Sequence, residues 1–252
     1  MHELLKEKLK SLKFWKNHEL IWLTSTTSTN DDLKEIWRKP DFSHKIEIAD
    51  LQTKGKGQYE RKWVSSNTGQ CLMFSFSLDI EEYKFPISLI AGIALAQALE
   101  KLSVSPKDYW LKWPNDIWIN DKKLSGILTE STTLKNGFRC IVGIGINILP
   151  LSDKNVNSIS LKEAGVSVSR EAVLLEFCKA WDFCFSLSDL EQAKLWNKYG
   201  NQFWERKVKV QIPNSSAFIA KPISVAKDGS LTIQTSDGKQ QKIISATLLP
   251  II

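Results

Sequence analysis

A glycine turn set among cations is the first feature of this sequence that could do chemistry. In Gly55-Lys56-Gly57 the glycines let the backbone fold tightly enough for its N–H groups to converge on an anion, and Lys54, Lys56, Arg61 and Lys62 surround the turn with positive charge. A phosphate or a carboxylate suits such a turn. The pattern is neither G-x-x-x-x-G-K-[ST] nor G-x-G-x-x-G, and its spacing alone fits an ordinary lysine-bearing surface loop equally well. A second feature is Lys112-Trp113-Pro114-Asn115-Asp116, where an ammonium group interrupts an apolar strand just before a proline turn. A cation at a strand end is held more rigidly than one on a loop, which suits stabilisation of a charged transition state. On pattern alone, an edge-strand lysine reaching for water fits slightly better. Third, Gly143-Ile144-Gly145-Ile146-Asn147 alternates glycines along an apolar strand, which marks either close approach of a ligand or a bulge or packing contact.

The elements that must carry these features follow from periodicity. Leu4, Leu5, Leu9 and Leu12 recur at helical spacing among lysines, giving a short amphipathic helix or arm over residues 1–16. A strand over 20–23 leads into Ser28-Thr29-Asn30-Asp31, which caps a helix from about 30 to 37. A strand over roughly 45–50 is followed by residues 51–67, rich in glycine, charge and amides and without core periodicity, a long surface loop of the kind that is either functional or disordered. Residues 71–78 alternate as a sheet strand, and a buried helix runs from Pro86 to about Leu102. A strand over 108–113 stops at Pro114, a hairpin turns at Asn120-Asp121, and 138–148 reads as a central strand. Helices over 170–188 and 189–199 follow. From Arg206 on, four or five short strands separated by Asn and Asp-Gly turns suggest a small β-barrel of about 45 residues docked on the rest.

At 252 residues, roughly 1.7 times the ~150-residue prior for one domain, the chain suits one core with a smaller appendage. The divisions expected are 1–18 as helix or arm, 19–203 as the main domain and 204–252 as the small one. Hydrophobic residues at 42% and charged residues at 25% exclude a disordered or collagen-like chain. The net charge of +6 favours anions mildly and is small for a dedicated nucleic-acid binder. Cys71, Cys140, Cys178 and Cys184 contain no C-x-x-C pair, and the histidines lie scattered near the front, so neither a disulfide scaffold nor a His/Cys zinc site is expected. The charged N-terminus lacks a secretory apolar run, and the 86–99 stretch is too short for a bilayer, so a location in a reducing cytoplasm is expected.

Taken together the motifs resemble those of biotin protein ligases. The matching elements are Ser28-Thr29-Asn30, then Gln52-Thr53-x-Gly55-Lys56-Gly57 with Arg61 and Trp63, then Lys112 to Asp116. Lys123-Leu124-x-Gly126-Ile127-Leu128 with Glu130 and Gly143 to Asn147 complete the set. They occur in family order over roughly residues 20–150, and the later helices and strands resemble the remainder. The resemblance implies an α+β fold, with a mixed or antiparallel sheet core of the biotin/lipoate ligase type and an SH3-like C-terminal β-barrel. It implies attack of the biotin carboxylate on the α-phosphorus of ATP, with Mg2+ participating, to give biotinyl-5'-AMP and pyrophosphate. Transfer to a lysine of the biotin carboxyl carrier protein of acetyl-CoA carboxylase follows. Some members carry an N-terminal winged helix and repress genes. About 20 residues precede the first matching strand, so the monofunctional class, without DNA binding, is expected. Family sheets pair edge to edge through the surface that meets the acceptor, which makes a homodimer one of two states the sequence allows.

By the same resemblance, Lys112 and Lys56 are the catalytic cations, offsetting the repulsion between a carboxylate and a polyphosphate. Ser28, Thr29, Asn30, Gln52, Gly55, Lys56, Lys112 and Gly126 would hold biotin. Gly57, Gln58, Arg61, Trp63, Asn115, Lys123, Asn147 and Arg206 would face ATP or the adenylate, Asn147 and Trp113 serving the nucleotide side or the floor of the site. The loop over 54–67 would order on biotin and shield the mixed anhydride from water. No metal ligands can be picked from the sequence. Competing readings are a lipoate or octanoate ligase or transferase of related fold, and a non-enzymatic adaptor. The glycine loop and the Lys112 to Asp116 segment favour biotin over the first, and retention of Lys112, Gly55 and Gly57 argues against the second. A cysteine-nucleophile transferase is disfavoured because Cys71 and Cys140 lie in apolar strands.

The chain departs from the family loop, which commonly reads G-R-G-R with a further glycine and arginine. Here Lys56 replaces the first arginine, Gln58 the second, and Glu60 stands where glycine is usual. An amide cannot fork onto a phosphate or carboxylate as a guanidinium does, so adenylate should be held less tightly unless Lys54, Arg61 or Lys62 substitutes. Gln58→Arg is expected to slow dissociation of the intermediate; an unchanged release rate would show that position 58 does not control it.

Overall fold

The computed structural model describes residues 2–39, 41–58, 61–65, 67–82, 85–105, 108–153, 157–204, 206–213 and 215–251. Glu60 lies outside the described residues. The chain begins with α1 (His2–Lys10), a 3-10 turn (Trp15–Asn17), β1 (Glu19–Leu23), α2 (Thr29–Ile36), β2 (Lys45–Ala49), β3 (Cys71–Ile80) and α3 (Ile87–Lys101). It continues with β4 (Tyr109–Lys112), β5 (Asp116–Ile119), β6 (Lys122–Thr133), β7 (Phe138–Asn147), α4 (Arg170–Phe185), α5 (Asp189–Tyr199) and α6 (Asn201–Trp204). Five strands close the chain: β8 (Val208–Gln211), β9 (Phe218–Val225), β10 (Leu231–Thr235), β11 (Gln240–Ile243) and β12 (Thr247–Pro250).

The first seven strands form one mixed sheet in the order β1-β2-β3-β7-β6-β5-β4, parallel between β1 and β2 and antiparallel elsewhere. The continuous apolar character of β7 reflects its place at the centre, covered on both faces. One face is sealed by α3 and α4. Phe74 and Phe76 of β3 meet Phe177 and Trp181 of α4 edge-on, and α3 is apolar around most of its circumference because it lies between the sheet and its helical neighbours. Leu5 and Leu9 of α1 are also buried, and α1 packs on α4.

The opposite face carries α2 and the glycine loop. Lateral pairing places Glu47, Ser75, Gly143 and Leu128 in one row of this face, and Met73, Gly145, Gly126, Asp116 and Lys112 in the next. Between β5 and β6 the register shifts, so that Lys123 opposes Trp118 while Ser125 opposes Ile117. The extra residue at Leu124 turns Lys123 onto the same face as Asp116 and Gly126.

The five C-terminal strands form a separate antiparallel sheet, β11-β10-β9-β8-β12. This corrects the expected SH3-like barrel: β11 and β12 stay at opposite edges, with no ladder between them among the described residues, and the sheet is open. Closure needs edge strands that tilt far enough to meet. Here both edge strands have four residues, and Gln240, Gln241 and Lys242 of β11 are exposed. Cover comes from the main body, because α5 and α6 pack against β9. Asn197 of α5 clamps both backbone groups of Val225, at 2.8 and 2.9 Å, and the Trp113 indole donates to the Gly229 carbonyl at 3.1 Å.

Glu47, under α2, is an anomalous core residue. It is 6% exposed, and burial, then the hydrogen bond and charge of Asp32, push its pKa up from 4.5 to about 8. Between those values the folded chain keeps a proton that the unfolded chain releases, so this group's contribution to stability falls as pH rises through that window. Glu47→Gln should flatten the decline, and denaturant titrations from pH 5 to 9 (about the span concerned) would show it; parallel curves for the two proteins would contradict the assignment.

Candidate active site

Three glycines in adjacent strands leave the α2 face of the sheet bare at its centre, and the site is built on that floor. A Cβ on Gly143 would stand 2.0 Å from Asn30 Oδ1, and one on Gly145 2.4 Å from the Trp63 indole. One on Gly126 would stand 2.9 Å from Lys123 Nζ. The alternating glycines of β7 thus serve close approach of side chains to the sheet. Above the floor lies a hollow of about 50 Å3, lined by Ser28, Thr29, Asn30, Gln52, Ser75 and Trp63 among others. Ligand pockets usually exceed about 300 Å3, so the hollow must widen before a substrate of ordinary size can enter. Trp63 Nε1 is buried without a hydrogen-bond partner among the described residues.

The glycine loop is a pinched strap beside this hollow. Trp63 N donates to the Gly55 carbonyl at 2.9 Å and Gly57 N to the Arg61 carbonyl at 2.7 Å. The strap's base is fixed to the segment before α2 by Thr53 N to Thr26 O and Lys54 N to Thr27 O, both 2.9 Å. Outside it lies a larger hollow of about 1010 Å3, lined by Lys54, Lys56, Arg61, Lys62 and Glu130 among others. Gln52, Lys56, Gly57, Gln58 and Trp63 line both.

Most of the residues singled out from sequence gather at these two hollows. Ser28, Thr29, Asn30, Asn115, Lys123 and Gly126 line the inner one, and Gly55 and Arg61 the outer one. Asn115 also braces β6, donating to the Ile127 carbonyl at 2.8 Å. Lys112, Asn147 and Arg206 line neither. Asn147 is buried and donates to the carbonyls of Ile159 at 3.1 Å and Lys123 at 3.3 Å. Arg206 pairs with Asp121 and stacks 4.9 Å from the Trp110 ring. Lys56 is held by Asp31 at 2.6 Å.

Two lysines thus line the inner hollow, Lys56 from the glycine loop and Lys123 from β6. Lys112 sits in β4, two strand spacings or about 10 Å beyond β6, buried against the Trp118 ring at 4.9 Å. Asp116 joins the two, 2.6 Å from Lys123 and 3.4 Å from Lys112. Burial pulls the Lys112 pKa down, against the charge of Asp116. For Asp116, burial works to raise the pKa, but the Lys123 and Lys112 charges outweigh it and the carboxyl stays below its ordinary range.

Sequence reasoning passed over Ser75, Asp31, Lys34 and the bridging role of Asp116. Ser75 had a visible signal: a small polar residue between Phe74 and Phe76 in an apolar strand. Asp31 and Lys34 show themselves through Lys56 and Glu130, distant in sequence, and Asp116 through lysines that are near in sequence but brought to it by the pairing of β4, β5 and β6. Because the Gly145 hydrogen lets the indole lie flat, Gly145→Ala should expel Trp63, with a loss of about 1–3 kcal/mol in stability and greater access of that indole to a collisional quencher. Unchanged quenching relative to a Trp63→Phe reference would contradict this role for the glycine.

Comparison with known proteins agrees with this geometry. Residues 22–147, half of the chain, match the biotin/lipoate A/B protein ligase family. The bifunctional ligase/repressor BirA of Bacillus subtilis is 30% identical over 242 residues, 91% of this chain and 73% of that protein. Biotin--protein ligase 2 of Arabidopsis thaliana is 29% identical over 177 residues, 67% of this chain, which spans about half (53%) of that relative's length. Among solved structures, the biotin protein ligase of Aquifex aeolicus in complex with biotin and ATP superposes with a TM-score of 0.73 at 27% identity. That match covers 92% of this chain and 99% of the other. From the motif match and from the shared sheet on which the hollow is built, the chain belongs to the biotin/lipoate A/B protein ligase family.

Proposed function

We propose that this chain activates biotin with ATP, forming biotinyl-5'-AMP and pyrophosphate, and transfers the biotinyl group to a lysine of a carrier protein. The observation that carries the reading is the junction of two unlike compartments. The inner one is walled by hydroxyls and amides, which suits a compact bicyclic urea, and the outer one is lined by cations, which suits a polyphosphate. The Aquifex relative holds biotin and ATP together, and this chain follows it over 92% of its own length.

In the first step a biotin carboxylate oxygen attacks the α-phosphorus and the bond to pyrophosphate breaks. Two anions must approach, and fixed cations offset their repulsion. Lys123 takes the leading role at the inner wall, Asp116 fixes its direction, and Lys112 adds charge from behind. Lys54, Arg61 and Lys62 serve the phosphates. In the second step the neutral amine of the carrier lysine attacks the acyl carbon, AMP departs, and the amine loses a proton. Mg2+ enters on the phosphates as part of the nucleotide substrate. Among the described residues no three His, Cys, Asp or Glu side chains converge on a metal position, and Asp116 is already paired twice.

The acceptor in this reading is the biotin carboxyl carrier protein of acetyl-CoA carboxylase. Residues 2–17 pack on the core through the buried Leu5, Leu9 and Trp15. A cytoplasmic setting is supported by four buried cysteines, none of them in a disulfide. Separately, no helix among the described residues is long and apolar enough to cross a membrane.

Labelled biotin should be incorporated into a carrier domain in the presence of ATP and Mg2+. Lys123→Ala should lower biotin-dependent pyrophosphate release by about a hundredfold or more, and Lys112→Ala by less. A larger loss in Lys112→Ala would restore the lead to that residue, and absence of any biotin-dependent pyrophosphate release by the unaltered protein would end the reading.

A further inference from the structure

Glu130 stands outside the inner hollow, yet a chain of hydrogen bonds leads from it through the hollow's wall. It projects from β6 on the α2 face, accepting from Lys34 Nζ at 2.6 Å and from Asn30 Nδ2 at 2.9 Å. A carboxylate has only acceptors to offer, so the end of the Asn30 amide that faces it must be the NH2 group. The amide oxygen is thereby turned to Ser75, whose hydroxyl donates to it at 2.6 Å.

The consequence runs one residue further at each bond. Ser75 has one hydroxyl proton, already given to Asn30, so across the 2.6 Å contact between Ser75 and Thr29 the threonine is the donor. Thr29 in turn has one proton, and the 2.6 Å partner takes it in preference to Gln52 Oε1 at 3.1 Å. Gln52 Oε1 is instead held by the Thr29 backbone N–H at 2.7 Å, which leaves the Gln52 NH2 group free to donate. The wall of the hollow therefore presents acceptor lone pairs at the Thr29 and Ser75 oxygens and a donor at Gln52. A cyclic urea, with two N–H donors and one carbonyl acceptor, is the complement of that pattern.

We propose that Glu130 is a positioning residue that sets the donor and acceptor polarity of the urea-binding wall by fixing the amide of Asn30. The proposal rests on the reading of biotin as substrate and adds the residue that makes the wall selective for a urea. With Glu130→Gln the constraint is lost. A glutamine at 130 can donate, the Asn30 amide can then turn over, Ser75 can donate to Thr29, and the Thr29 proton can point into the hollow, where it opposes a urea N–H. Moving the carboxylate to the neighbouring position restores the order: in Glu130→Gln/Asn30→Asp, the aspartate accepts from both the glutamine amide and Ser75, and Thr29 again donates to Ser75.

The test measures biotin binding and the KM values of biotin-dependent pyrophosphate release for the full chain, the single variant and the double variant. Glu130→Gln should weaken biotin binding about tenfold to a hundredfold, the loss of one correctly paired buried hydrogen bond and the creation of one mismatch. The loss should fall on KM for biotin, while KM for ATP, whose hollow Glu130 also lines, should not rise, because an acidic charge facing the phosphates is removed. The double variant should recover most of the affinity, which a merely structural role for Glu130 does not predict. Should Glu130→Gln fail to fold, biotin binding by the double variant still decides the matter. Wild-type affinity in Glu130→Gln, or a double variant as weak as the single one, would overturn the proposal while leaving the ligase reading intact. An unaltered chain that binds no biotin would remove both.

Discussion

Close approach of side chains to a bare sheet is the constraint on which this molecule depends. Gly143, Gly145 and Gly126 occupy adjacent positions of β7 and β6, and each would push a neighbour aside if it carried a Cβ. Glycine weakens a strand, and β7 bears that cost at the centre of the sheet, where antiparallel neighbours on both sides and helices on the far face hold it in place. The bare patch lets Asn30 and Trp63 rest on the backbone and brings the first turn of α2, the glycine loop and Lys123 to one point.

Charge is arranged with equal economy. Asp116 holds two lysines with a buried carboxylate, so that a positive charge at the inner wall coexists with a second one behind it. The pair of lysines would repel without that carboxylate, and the carboxylate would be costly to bury without the lysines. On the other side of the hollow Asp31 and Glu130 hold Lys56 and Lys34. The wall thus contains both signs in alternation, which fixes side chains in direction and leaves the net positive field to the outer hollow, where Lys54, Arg61 and Lys62 stand.

The two sheets show how far pattern reading extends. In the larger sheet, the apolar run of β7 read as a central strand because burial on both faces leaves its mark on every residue, while alternation marked β3 only as a strand of the sheet. In the C-terminal segment the short alternating strands were equally plain, but their closure was not. Alternation records which residues face inward and says nothing of whether the first and last strands meet. An open sheet covered by α5 and α6 and a closed barrel require nearly the same inner residues.

From the order of its residues alone, the chain determined which local chemistries were on hand: a glycine turn ringed with cations, a polar cap before α2, glycines alternating in an apolar strand, and lysines flanking a proline turn. Each depends on neighbours a few residues apart and so is written in one dimension. Tertiary structure decided that Lys123, and not Lys112, lines the hollow. The extra residue at Leu124 reverses the side to which Lys123 points, and β4 lies at the far edge of the sheet, so Lys112 is withdrawn behind Asp116. A one-residue change of register moves a side chain through the sheet from one face to the other, and no local pattern in residues 116–126 announces it.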